Sequence, residues 1–213
     1  MKLTQYRQSL AAVDVALASL LVLIMMPSVD SIVVVENGRC PAVTGMPGFD
    51  VERYKGTWHE FKRFPAFFEI GLECTSATYT SGPGGLVNVN NRGLLRISLF
   101  GKKVDVSKSS ITGIASVPNA QRPAELIALF GADLGGETGC TPNYIIQDTD
   151  YTNYSVVFSC VEALGYNIQF AWILTRCKGL KPDKLEELEA NLAKAGVDVS
   201  NFEKVDQTGC PFN

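Results

Sequence analysis

The feature that most constrains this chain is its punctuation. Gly- and Pro-bearing breaks recur at SGPGG (81–85), NNRG (90–93), FGKK (100–103), VPN (117–119) and GADLGGETG (131–139). Between them lie runs rich in Val, Ile, Thr, Tyr and Phe, each long enough for one strand and too short for a long helix. This spacing predicts eight strands: Thr57 to Phe64, Cys74 to Thr80, Gly85 to Leu95, Lys103 to Val117, Ala124 to Phe130, Asn143 to Thr149, Asn153 to Cys160 and Asn167 to Arg176. VVF at 156–158 and FAWIL at 170–174 are apolar on both faces, so these strands need a packed element outside as well as an interior.

That element is legible in KPDKLEELEANLAKAG, residues 181–196. Pro182 suits a first turn, Asp183 and Glu186 suit the positive end, and Gly196 can end the helix. Leu185, Leu188, Leu192 and Ala195 form one apolar stripe, leaving Glu186, Glu187, Glu189 and Lys194 to water. Eight short-looped strands followed by one late helix predict an all-β fold, an antiparallel up-and-down barrel with a C-terminal α-helix on its outside. Closure removes the sheet edges, and at eight strands the interior holds side chains or one small ligand. No repeat or second domain is visible in the 213 residues.

The N-terminus differs in kind. Lys2 and Arg7 precede an apolar run from Leu10 to Met26, followed by Pro27 and small residues. The order is that of a secretory signal peptide, here taken as 1–31, although Asp14 interrupts it and no clean cleavage site stands out. An uncleaved anchor is the rival, but the charge-free stretch Val15 to Val29 is short for a span. Cleavage near Ser31 leaves the net charge at −3. An acidic balance supplies no field for phosphate backbones, which excludes nucleic acid as a natural partner.

Six cysteines follow the leader, Cys40, Cys74, Cys140, Cys160, Cys177 and Cys210, an even count that argues for disulfides in a secreted chain. No pair has CxxC spacing and His59 is the only histidine, so no metal site is expected. Asn153-Tyr154-Ser155 has the form of an N-glycosylation sequon.

GRCP at 38–41, FDVERYKGTWHEFKRFP at 49–65, TDYTNYSVVFSC at 149–160 and FAWILTR at 170–176, together with the C-terminal QTGCP, resemble the lipocalin family. Within it the likeness is to apolipoprotein D-like members and to the arthropod members that bind bilins or carotenoids. It covers residues 38–213, which are read as one lipocalin domain. The resemblance implies a calyx closed at one end and open to ligand at the other. It places Trp58 across the closed end with Arg176 stacked over it, Gly56 where the backbones approach, and Thr149, Asp150 and Tyr151 in the turn of that same end. A guanidinium over an indole gains roughly 0.5 to 2 kcal/mol of cation–π attraction.

The resemblance also implies the disulfides Cys40–Cys160 and Cys74–Cys210, each closing a loop whose chain-entropy value is about 4 to 5 kcal/mol. Cys140 and Cys177 then fall at opposite ends of the barrel, on the order of 30 Å apart, and are expected not to pair with each other. Free thiols or an intermolecular bridge, and with it a homo-oligomer, are the alternatives.

If Arg176 points to the base of the interior, strand parity puts Leu174, Trp172 and Phe170 on the wall above it. The family's ligand contacts fall here on Trp172, Tyr79 and Asn90, the last two being the polar groups that orient an apolar ligand. Two departures stand out: His59 follows the GxW tryptophan where Tyr is common, and by alternation faces away from Trp58, as do Phe61 and Arg63; and the glycine-rich loop 131–140 lacks the family's aromatics.

The resulting expectation is a secreted, extracellular carrier of a small hydrophobic molecule: a pigment such as a bilin or carotenoid, a sterol, a fatty acid or a retinoid-like compound. No cofactor is required, and a chromophore or lipid would be cargo. Neither catalysis nor an integral membrane position is expected. A catalytic cysteine inside the calyx is not offered by these positions, and a haem would need an inward histidine. The alternative is an extracellular interaction module with a filled barrel.

Overall fold

A computed structural model describes residues 33–131 and 141–212. The leader 1–31, Cys140 and most of the glycine-rich loop lie outside the described residues. Eight strands form the expected ring: Gly56–Arg63 (β2), Leu72–Ser81 (β3), Val87–Leu99 (β4), Lys102–Ser116 (β5), Glu125–Phe130 (β6), Tyr144–Thr149 (β7), Tyr154–Ala163 (β8) and Tyr166–Thr175 (β9). All neighbours are antiparallel, and β9 pairs back onto β2 to close the sheet.

Two short strands were not expected from the sequence. Val34–Asn37 (β1) pairs with β9, and Glu203–Lys204 (β10) pairs with β2. Both are too short for an alternating pattern to show; tertiary pairing, not local propensity, makes them strands. A four-residue helix, Val51–Tyr54 (α1), precedes β2, its first turn capped by the Asp50 carboxylate, which accepts from the amides of Glu52 and Arg53.

The later helix is Leu185–Lys194 (α2). It starts three residues after Pro182, because Pro182 opens a separate turn whose carbonyl accepts from Leu185 N at 3.2 Å. Its Leu188 and Leu192 are fully buried against Phe64, Val156, Phe158 and Ala171, and Leu185 lies against Phe61 and Ile173. The residues that made VVF and FAWIL apolar on both faces are thus divided: Val157, Trp172 and Leu174 face inward, while Val156, Phe158, Ala171 and Ile173 meet the helix.

The register of β2 against β9 jumps between Glu60 and Lys62, leaving Phe61 as an extra residue. Below this bulge, Trp58 and Glu60 point inward by simple alternation. Above it the parity reverses: Lys62 faces outward to Glu189 of α2 at 2.6 Å, and Arg63 turns into the barrel beside Glu60. The expectation that Arg63 shares the outer face with His59 and Phe61 is corrected by this one residue. His59 does face outward, but it is buried, and burial followed by the nearby Lys178 charge lowers its imidazole pKa.

Candidate ligand-binding site

The closed end is built from groups that satisfy one another. Arg176 lies with its guanidinium carbon 3.7 Å from the Trp58 ring centroid. Its N–H groups donate to the carbonyls of Tyr151 (3.1 Å), Thr57 (2.9 Å), Tyr54 (3.1 Å) and Lys55 (2.9 Å). Gly56 has φ of 102°, and a Cβ there would sit 3.1 Å from the Arg176 guanidinium, so both backbone and space call for glycine. Trp58 is fully buried and donates its indole N–H to Tyr54 O at 2.9 Å.

The turn beyond β7 uses its side chains as caps. Asp150 accepts from the amides of Thr152, Asn153 and Tyr154 at 3.0, 2.7 and 3.1 Å. Burial alone would raise its carboxyl, but these donors outweigh it and hold the pKa below the ordinary value. Thr149 Oγ1 accepts from Tyr151 N, and the Tyr151 hydroxyl accepts from Asp50 N. Asn153 is exposed, yet the amide nitrogen a glycan would need donates to Asp150 at 2.6 Å.

Two disulfides tie the tails to this frame. Cys40 is bonded to Cys160 and Cys74 to Cys210, across sequence separations of 120 and 136 residues. Cys177 is a free, exposed thiol.

Inside the barrel, Tyr79 of β3 and Tyr144 of β7 meet hydroxyl to hydroxyl at 2.5 Å. These strands are four apart in an eight-strand ring, so the contact spans its diameter. Burial first, and then neighbouring phenols, push both hydroxyls well above the usual tyrosine pKa and keep them protonated. Between this crossbar and strands β4 to β6 lies a cavity walled by Val87, Val89, Ala115, Leu126, Ala128 and Phe130. The empty space, including what opens to solvent, is about 440 Å³, and the centre of a water molecule reaches about 30 Å³ of it.

On the other side of the crossbar stands a charged cluster. Glu60 and Glu69 are both buried, and Arg63 lies 3.1 Å from Glu60 and 3.6 Å from Glu69. Thr75 Oγ1 donates to Glu60 at 2.5 Å, and Trp172 Nε1 donates to Glu69 at 3.4 Å. Burial first, then repulsion from Glu60, push the Glu69 carboxyl well above the carboxylate range against the pull of Arg63.

Of the residues singled out from sequence, Tyr79 borders the cavity. Phe170, Trp172 and Leu174 share the inward face of β9, with Phe170 stacked on Trp172 at 6.2 Å, but none of the three borders it. Asn90 is corrected. It pairs with Thr78 on the outer face and accepts from Ser110 Oγ at 2.9 Å, whereas Asn91 lines the cavity with its side-chain oxygen buried and unbonded. Directly opposed residues share a face, so the Tyr79 to Val89 register forces Asn90 outward.

Tyr144, Asn91 and the Glu60–Arg63–Glu69 cluster were missed. Alternation along β7 and the parity of Val87 and Val89 carry the first two. Glu69 sits in the three-residue turn Phe67–Glu69, which has no period to read. Among the described residues no group of three or more His, Cys, Asp or Glu side chains is placed to hold a metal ion, and no helix is long and apolar enough to cross a membrane.

Comparison with known proteins places this geometry. A family model described as a lipocalin-like domain matches residues 49–207. Apolipoprotein D of Mus musculus is 31% identical over 175 residues, 82% of this chain and 85% of that protein. The outer membrane lipoprotein Blc of Escherichia coli K12 is 32% identical over 167 residues, 78% and 84% of the two chains. The solved structure of lobster apocrustacyanin A1 superposes with a TM-score of 0.62 at 21% identity, covering 86% of this chain and 96% of its own. In its motifs, its ring of eight strands and its stacked tryptophan and arginine, the chain belongs to the lipocalin family.

Proposed function

We propose that the protein is a secreted, non-enzymatic carrier that holds a small hydrophobic molecule in the calyx. The observation that carries this reading is the inward-facing cavity of Val, Leu, Ala and Phe side chains with a few polar groups, Tyr79, Tyr144 and Asn91, at its edge. Apolar burial at about 25 cal/mol per Å² supplies affinity, and the hydroxyls and amide supply orientation. The ligand class we infer is a small hydrophobic molecule: a pigment such as a bilin or carotenoid, a sterol, a fatty acid or a retinoid-like compound.

Secretion rests on the leader 1–31 and on two disulfides of a kind that persist in oxidising compartments. The name of the Escherichia coli relative makes membrane attachment through the N-terminus the competing location. The residues from 38 onward are taken as the functional domain, Cys177 as a thiol available for pairing with a second copy, and Asn153 as a glycan acceptor once the turn opens.

A filled barrel that acts through its surface is the second reading. It is favoured by the 30 Å³ open to a water's centre, less than a ligand needs until the Tyr79–Tyr144 crossbar parts. Titration with retinol, cholesterol and palmitate, followed by tryptophan fluorescence, separates the two. Saturable quenching that is lost in Trp172→Phe supports the carrier. Failure of all three probes supports the filled barrel.

A further inference from the structure

Two tight turns at the mouth share an unusual construction. β4 passes to β5 through Phe100-Gly101, and β8 to β9 through Leu164-Gly165, each a two-residue hairpin loop. Both residues of each loop have positive φ: 50° and 75° in the first, 54° and 84° in the second. A two-residue hairpin with positive φ at both positions favours Asn-Gly, because a large side chain in the left-handed region is strained. Here that first position is occupied by Phe and Leu.

These are also the most exposed large apolar side chains among the described residues, at 104% for Phe100 and 98% for Leu164 of their reference areas. The sequence thus places an apolar group where both backbone and solvent disfavour it, twice, and on the same end of the barrel. β2 runs upward from the closed end at Gly56, so by antiparallel alternation the loops after β2, β4 and β8 all lie at the open end. The loop after β2 adds Phe67, Phe68 and Ile70, each at least half exposed.

The β4–β5 hairpin runs on beyond the ladder with β3, whose last pair is Leu72–Leu95. Its base is held by Arg96 and Lys103, which engage Glu73 and the C-terminal segment at Asp206, Thr208 and Gly209, and only the tip around Leu99–Lys102 projects past these contacts. At about 3.3 Å per residue the hairpin carries Phe100 more than 10 Å past the end of β3. Apolar groups carried singly on the tips of separate loops form no groove that a folded partner would fill. A fluid apolar surface accepts each tip independently.

We propose that the open end docks on a lipid surface, with Phe100 and Leu164 inserting as separate anchors and Phe67, Phe68 and Ile70 lying at the interface between them. Docking in this orientation faces the calyx mouth to the lipid. It does not depend on the identity, or the existence, of a calyx ligand.

The test uses phosphatidylcholine vesicles and flotation of the purified protein. Phe100→Asn and Leu164→Asn put into each turn the residue its backbone favours, so both variants should fold with unchanged or raised melting temperature. Vesicle partition should fall about tenfold or more for each, as expected when one large apolar side chain no longer leaves water. Wild-type protein that does not float, or variants that float equally, would overturn the proposal. So would a wild-type dimer, seen by sedimentation without lipid and lost in Phe100→Asn, which would assign the tips to a second copy.

Discussion

The two ends of the barrel are made from the same strands by opposite rules. At the closed end every polar group described is engaged: Arg176 donates to four carbonyls within 3.1 Å while covering Trp58, and Asp150 accepts three amides. At the open end, apolar side chains stand in water on turns whose backbones disfavour them. Hydrogen-bonded polar groups are concentrated at the base, and exposed apolar area is concentrated at the mouth, where the proposed ligand entry and lipid contact lie. The crossbar and the Glu60–Arg63–Glu69 cluster lie between these regimes.

The sharpest way to break this contrast is at the base. Trp58→Ala should cost about 3 to 5 kcal/mol, the range for removing a large aromatic from a packed core. It should appear as a lower denaturant midpoint at unchanged slope. Removing the Cys74–Cys210 bridge with the double Ser variant should cost about 2 to 5 kcal/mol, read in the same way. A loss as large from Phe100→Asn would erase the distinction between the ends.

Smaller effects sharpen it. Tyr79→Phe removes half of the crossbar and should cost about 1 kcal/mol, while speeding association of whichever probe binds. Asn91→Leu should alter probe affinity and Asn90→Ala should leave it alone; the opposite result would restore the outward residue to the site.

A last effect is one of pH. The Glu69 carboxyl is raised above its unfolded value, so its stabilising protonated form is fully present below that value and is lost as pH rises through the folded pKa. Glu69→Gln mimics the protonated acid. It should match wild type at pH 4 and exceed it at pH 8 in denaturant unfolding. Equal stability at both values would mean that Arg63 keeps Glu69 ionised at no cost.

The barrel was legible because its signals are local and repeated. Strand runs, Gly and Pro breaks and the Leu185, Leu188, Leu192 stripe each carry their own period, and the ring and helix follow from them. The closed-end set Gly56, Trp58, Thr149, Asp150, Tyr151 and Arg176 came from the family resemblance, and the structure brings these residues together. What sequence reading missed depends on register. Asn90 and Asn91 are adjacent, and only the pairing of Tyr79 with Val89 says which of them turns inward. Arg63 was misplaced for the same reason, since alternation counts residues and does not see a bulge. β1 and β10 exist only because a partner strand is there to meet them.

The bulge at Phe61 makes β2 behave as two reading frames joined end to end. Straightening the strand there, so that Phe61 and Lys62 alternate instead of sharing the outer face, would shift every side chain above it to the opposite face. Lys62 would be driven into the barrel, Arg63 would be expelled from between Glu60 and Glu69, and Phe64 would lose its place beneath α2. A single surplus residue therefore keeps the lower half of the strand registered to the closed end and the upper half registered to the mouth.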